Sequence, residues 1–118
     1  MSKRPKGEIV RGTTPTISFP VNLVREAIDD IEITVRQSAF YNGGISVRKL
    51  LSDNEVQLTA VDDLRCIASC KMTQEESFKF KAGLAQAQLR ALTITGDVAA
   101  HEMADIEIKP SLSEEILK

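Results

Sequence analysis

The chain has no tryptophan, one tyrosine and four phenylalanines among its 118 residues. A core drawn mainly from Ile, Val, Leu and Ala buries less area per residue than one anchored on large aromatic rings. Small domains have little stability to spare, so self-association is expected to add to it. The same scarcity speaks against a glycan-binding face, which needs aromatic platforms; Tyr41 is the single tyrosine. Histidine occurs once, as His101. A hydrolytic triad needs a positioned base, and a lone His beside Glu102, after a short apolar stretch, reads as a surface residue. No apolar run has the length that spans a bilayer, and no apolar segment follows the first basic residues as it would in a signal peptide. Synthesis in a reducing cytoplasm is expected, with no membrane partner.

Cysteine is also sparse, at Cys66 and Cys70. On a strand these two would share a face about 13 Å apart, at ~3.3 Å rise per residue, beyond disulfide reach. Two buried free thiols are expected. A metal site there would need further ligands, and the only His is far along the chain. Asp29-Asp30 and Asp62-Asp63 pair carboxylates, but calcium takes six to eight oxygens at graded spacing, and adjacent aspartates are common turn formers. Gly43-Gly44 lacks the Lys-Ser/Thr and the helix of a phosphate loop. No catalytic residue, metal ligand or cofactor is assigned, and the protein reads as a non-enzyme.

Formal charge is −2, unevenly placed. Residues 1–11 carry Lys3, Arg4, Lys6 and Arg11 against Glu8, whereas Glu114 and Glu115 face only Lys118 near the other end. Four cations without interleaved aromatics make a weak footprint for nucleic acid. The expected reading is a solvated, flexible basic arm over residues 1–11, with a single domain over 12–118, and nucleic acid is not an expected partner.

What the sequence does hold is alternation. Ile31, Ile33 and Val35 interleave with Glu32, Thr34 and Arg36; Leu64 through Met72, Ala85 through Leu92 and Ile106 through Lys109 follow the same period of two. Half-buried strands require this pattern because successive side chains leave opposite faces. Strands at intervals of about ten residues, separated by turns, indicate a sandwich rather than a βαβ fold. The fold expected is mainly β, an antiparallel β-sandwich of Ig-like architecture with one or two short helices.

Along the chain, Gly12-Thr13-Thr14-Pro15 separates the arm from a strand Thr16 to Phe19, which Pro20 should end. Asn22 is placed to cap a short helix, Leu23 to Ile28, and Asp29-Asp30 to close it. The strand Ile31 to Gln37 then joins Ile45 to Leu50 through a turn at Tyr41-Asn42-Gly43-Gly44. Ser52-Asp53-Asn54 turns into a strand Val56 to Val61, and Asp62-Asp63 leads into Leu64 to Met72. Thr73 and Glu76 form a capping box on a helix that Gly83 should stop and that Phe78 and Leu84 should anchor. The strand Ala85 to Thr95 is expected to be central, its Gln86, Gln88 and Arg90 forming a polar face. Gly96-Asp97 turns into two further segments, Val98–Ala100 and Ala104–Lys109, before Pro110 ends the sheet. Ser111 to Leu117 reads either as a tail or as a helix capped by Ser113.

Taken in order, several of these motifs resemble those of small structural or tail-associated proteins of Firmicutes tailed phages and prophages. The opening Ile9-Val10-Arg11-Gly12-Thr13-Thr14-Pro15-Thr16 is similar to theirs, as is the strand ending in Gln37. Met72-Thr73-Gln74-Glu75-Glu76-Ser77-Phe78-Lys79-Phe80 resembles their LTQEDTLKF pattern, and Gln88-Leu89-Arg90 their QLR strand, followed by a Gly-Asp turn and a closing strand. The likeness runs from about residue 8 to 117; the basic residues before it, and Met72 in place of Leu, depart from the pattern. It implies a virion structural or assembly component of head, neck, tail or baseplate, located in the virion, whose partners are copies of itself and other virion proteins. Arg11, Thr13, Thr14 and Thr16, with Leu112, Ile116 and Leu117, are the expected partner contacts, because neither segment should bury itself alone. Other classes remain open: a host-surface or glycan-binding module, and a small phage regulator using the basic arm.

Overall fold

A computed structural model describes residues 6–37, 44–113 and 115–117. Its strands are β1 (Lys6–Val10), β2 (Thr16–Val21), β3 (Ile28–Gln37), β4 (Ile45–Leu50), β5 (Val56–Ala60), β6 (Cys66–Lys71), β7 (Gly83–Thr93) and β8 (Val98–Lys109), with one short helix, α1 (Gln74–Phe78). They form a five-stranded sheet ordered β1-β8-β7-β3-β4 and a three-stranded sheet ordered β2-β6-β5. The inward residues of both sheets belong to one continuous core. Ile31, Ile33, Val35, Ala85, Ala87, Leu89, Ala91, Ile106 and Ile108 come from the large sheet, and Phe19, Val21, Val56, Cys66, Ala68 and Cys70 from the small one. The period-two alternation thus does what the sequence implies, one face in and one face out. The protein is a mainly β, two-sheet sandwich with one short helix.

Most strand positions match the sequence reading. β3 pairs antiparallel with β4, Val35 opposite Val47, while Tyr41-Asn42-Gly43 of the expected turn lies outside the described residues. β7 is the middle strand of the large sheet. Asn54 takes a left-handed backbone at φ 60° after the 3-10 turn Leu51–Asp53, the conformation an Asn tolerates in a turn. Cys66 and Cys70 are buried free thiols on the inner face of β6. Burial pushes the Cys70 thiol up to about 11.

Five expectations are corrected. Residues 6–10, assigned to the flexible arm, form β1, which pairs parallel with β8 from Lys6–Asp105 to Val10–Lys109; the cause is Ile9, buried in the core. Pro20 does not end β2, which continues to Val21. β2 is an edge strand, where a residue without N–H can face the unpaired side. The helix expected over residues 23–28 is a single 3-10 turn, Arg25–Ala27, without a side-chain cap. So few residues cannot repay helix nucleation, and Ile28 is already buried at the start of β3. The two closing segments are one strand, β8. Leu89 pairs with Glu102 and Arg90 with Ala100, so His101 is the extra residue of a bulge, which absorbs the break in alternation. Finally, Leu84 is exposed rather than an anchor of α1, because β7 turns Ala85 and Ala87 inward; Phe80 is buried in its place. After β8, the residues from Ser111 onward that are described form no helix.

Candidate functional site

α1 carries the chain from β6 in the small sheet to β7 in the large one, and it is where distant parts of the sequence meet. Five residues are too few to be helical by propensity alone, so side chains must hold them. The capping box forms as its spacing implies: Thr73 Oγ1 accepts from the Glu76 N–H at 3.1 Å, and Glu76 Oε1 accepts from the Thr73 N–H at 2.8 Å. Each bond satisfies a donor that the helix start would leave unpaired.

The Glu76 carboxylate does a second task. Lys49, on the inner face of β4 and almost fully buried, donates from Nζ to both Glu76 oxygens at 2.8 Å. Glu55 Oε2 lies 3.8 Å from the same ammonium. Burial pushes the Glu76 carboxyl up, but the bonds from Lys49 and from the Thr73 N–H outweigh it and hold the group below its ordinary value. A buried cation needs a partner of this kind, and the pair ties the edge of the large sheet to α1.

Ser77, fully buried, receives the Gly12 N–H at 2.9 Å and donates to Thr13 O at 2.9 Å. Arg11 reaches the other end of the helix. Its Nε donates to Phe80 O at 2.7 Å and its NH2 group to Phe78 O at 3.0 Å, where carbonyls leaving a helix lack partners. Its guanidinium also lies over the Phe78 ring, 5.5 Å from the centroid, in cation–π range.

On the outer side of α1, Thr14, Lys71, Met72, Thr73, Gln74 and Glu75 line an open recess of about 370 Å³, which Ile116 also lines. The Gln74 amide grips the backbone there in both directions. Its Nε2 donates to Leu117 O and its Oε1 accepts from the Leu117 N–H, each at 2.8 Å. A net hydrogen bond stabilises by about 1 kcal/mol, so the closing segment is lightly held. Leu112 and Leu117 point their side chains into solvent.

The structure therefore brings together Arg11, Thr13, Thr14, Ile116 and Leu117 of the expected contacts, all around α1. Thr16 and Leu112 stand apart. Thr16 opens β2 opposite Lys71 and lines a separate recess with Lys49, Glu55, Gln57 and Ser69. Arg11 and Thr13 also make hydrogen bonds within the chain, while Thr13, Thr14 and Thr16 stay exposed. Ser77, Phe80, Lys49 and Gln74 carry the arrangement without having been singled out by sequence. Only Ser77 had a legible signal, as a small polar residue four positions after the N-cap Thr73 in a helix with one side to bury.

Elsewhere, the outer face of the large sheet carries a ladder in which Glu32 of β3 pairs with Arg90 of β7 at 2.8 Å and with Arg48 of β4. The Arg90 hydrogen bond first, opposed by burial and aided by Arg48, holds the Glu32 carboxyl below its ordinary value. One aspartate of each pair is engaged: Asp30 from within β3, which begins at Ile28 and so runs through the turn expected at Asp29-Asp30, and Asp62 from the loop before β6. Asp30 accepts from the Ser52 N–H and hydroxyl at 3.0 and 2.9 Å, and Asp62 accepts from the Leu64 N–H and from Arg65. No protein-family model matches the chain, and no curated protein matches it.

Proposed function

We propose that this two-sheet sandwich, Ig-like in architecture, is a non-enzymatic structural or assembly component of a phage virion, in its head, neck, tail or baseplate. It works through contacts with copies of itself and with other virion proteins. The observation that carries this reading is the convergence around α1. Two segments more than a hundred residues apart, 11–14 and 116–117, meet on one face, and the apolar side chains of Ile116 and Leu117 stand exposed there. Apolar groups gathered on one face favour contact with another protein. The ordered resemblance to phage proteins supplies the setting.

Light scattering on the purified protein over a concentration series, together with mass spectrometry of gradient-purified particles, tests the reading. A mass above that of the 13.0 kDa chain, with the protein present in particles at stoichiometric abundance, is the expected result. A monomer at every concentration, absent from particles, would overturn it. Aromatic-poor composition predicts silence on a glycan array, and salt-dependent DNA binding would move the assignment to a regulator.

A further inference from the structure

We propose that the recess beside α1 is a docking site for extended main chain, and that its occupant in the assembled protein is the segment 110–117 of a second copy. The proposal rests on the assembly reading above. Gln74 is the key residue. Through donor and acceptor together it engages Leu117 N–H and O, as a neighbouring strand would, and so it reads backbone rather than side-chain identity. Gln37 pairs with Lys81 in the same way, its Oε1 taking the Lys81 N–H and its Nε2 meeting Lys81 O, each at 2.8 Å. There Gln37 is fully buried, whereas the Gln74–Leu117 pair lies at the surface.

The segment now on the recess is the chain's own, and it is joined to the body of the domain mainly at its far end. Among its described residues before Ile116, the hydrogen bonds are local ones: Ser111 Oγ to Ser113 O, and Glu115 N–H to Ser113 Oγ. The residues between Lys109 and Ile116 can span about 20 Å when extended, at ~3.3 Å each, enough to cross to an adjacent copy. Exchange would reproduce every contact seen here, which is why swapping an identical element is a low-cost route to association. It would also place Leu112 and Leu117, exposed when the segment lies on its own domain, between two copies.

The test uses two full-length variants. Gln74→Ala breaks the acceptor and leaves the segment intact. Ile116→Asp combined with Leu117→Pro breaks the segment, removing the apolar side chain and the N–H, and leaves the recess intact. Circular dichroism and melting temperature establish that each is folded, and Gln74→Glu, which cannot donate to Leu117 O, repeats the acceptor test with little change in size. Expected is that the unaltered protein self-associates and each variant does so at least tenfold more weakly. An equimolar mixture of the two variants should recover a one-to-one complex, seen by sedimentation velocity. Self-association undiminished in the variants would overturn the exchange and leave the assembly reading standing. A monomeric unaltered protein would overturn both the exchange and self-assembly.

Discussion

Gly12 is the residue on which the α1 region turns most sharply. Its φ of +81° lies in the left-handed region, and a Cβ built there would fall inside the Phe78 ring contact. Left-handed backbone costs a non-glycine residue about 1–2 kcal/mol, and overpacking adds roughly 1–3 kcal/mol. Gly12→Ala should therefore lose about 2–5 kcal/mol in urea unfolding, with the Gly12–Ser77 bond disturbed. A change below 0.5 kcal/mol would show that both the backbone strain and the ring overlap are relieved, and would overturn this account. Cys70 makes the opposite kind of prediction, of inertness. With its thiol pushed up to about 11 by burial, almost no thiolate exists at pH 8, and the thiolate is the reactive form. Alkylating reagent should leave it unmodified in the native protein and label it once urea unfolds the chain; fast native labelling would contradict the burial. At this scale the sequence was legible where the signal is local. The thiols follow from alternation alone. The role of Arg11 does not, because its partners Phe78 and Phe80 lie 67 and 69 residues away and no spacing rule connects them.

Among elements, α1 shows how a motif and a tertiary contact divide one carboxylate. Glu76 closes the capping box and also neutralises Lys49. Because its folded pKa is held below the ordinary 4.5, the resulting stability is fully present above about pH 4.5 and is lost as pH falls through the lower folded value. Unfolding measured from pH 6 to pH 3 should show this loss. Glu76→Gln should be less stable at pH 6 and show a flatter decline below pH 4.5; parallel curves would mean that the carboxylate has no such role. The capping box was plain in the sequence because its Thr-x-x-Glu spacing is fixed by helix geometry. Lys49 was not, since in an alternating strand a lysine on the inner face looks like a slip in register until the carboxylate opposite it is known. The 3-10 turn at Arg25–Ala27 and the continuous β8 failed for a related reason. Short apolar clusters fit a helix or a strand equally well, and a bulge looks in sequence like a break between two strands.

For the whole molecule, the two-sheet class was legible and the pairing was not, because alternation gives a strand its face but not its neighbours. β1 is the clearest case. In Lys6–Val10 the charged Lys6 and Glu8 give a solvent signal around the buried Ile9, and only its place against β8 reveals the segment as part of the core. Removing residues 1–15 would therefore strip a core side chain along with any arm. Ile9→Ala should cost about 2–5 kcal/mol, the range for truncating a buried Ile, and urea unfolding would detect it easily; an effect near zero would restore the flexible arm. The parallel register of β1 with β8 also sets an order of events during translation. Residue 6 has its partner at residue 105, so β1 must wait for a strand synthesised about a hundred residues later. Until then β1 is without its ladder, and β8's later arrival both completes the large sheet and retires that exposed edge. A nascent chain stalled before β8 is made would carry β1 as an unpaired, sticky strand, and such a stage of synthesis is one that a chaperone protects.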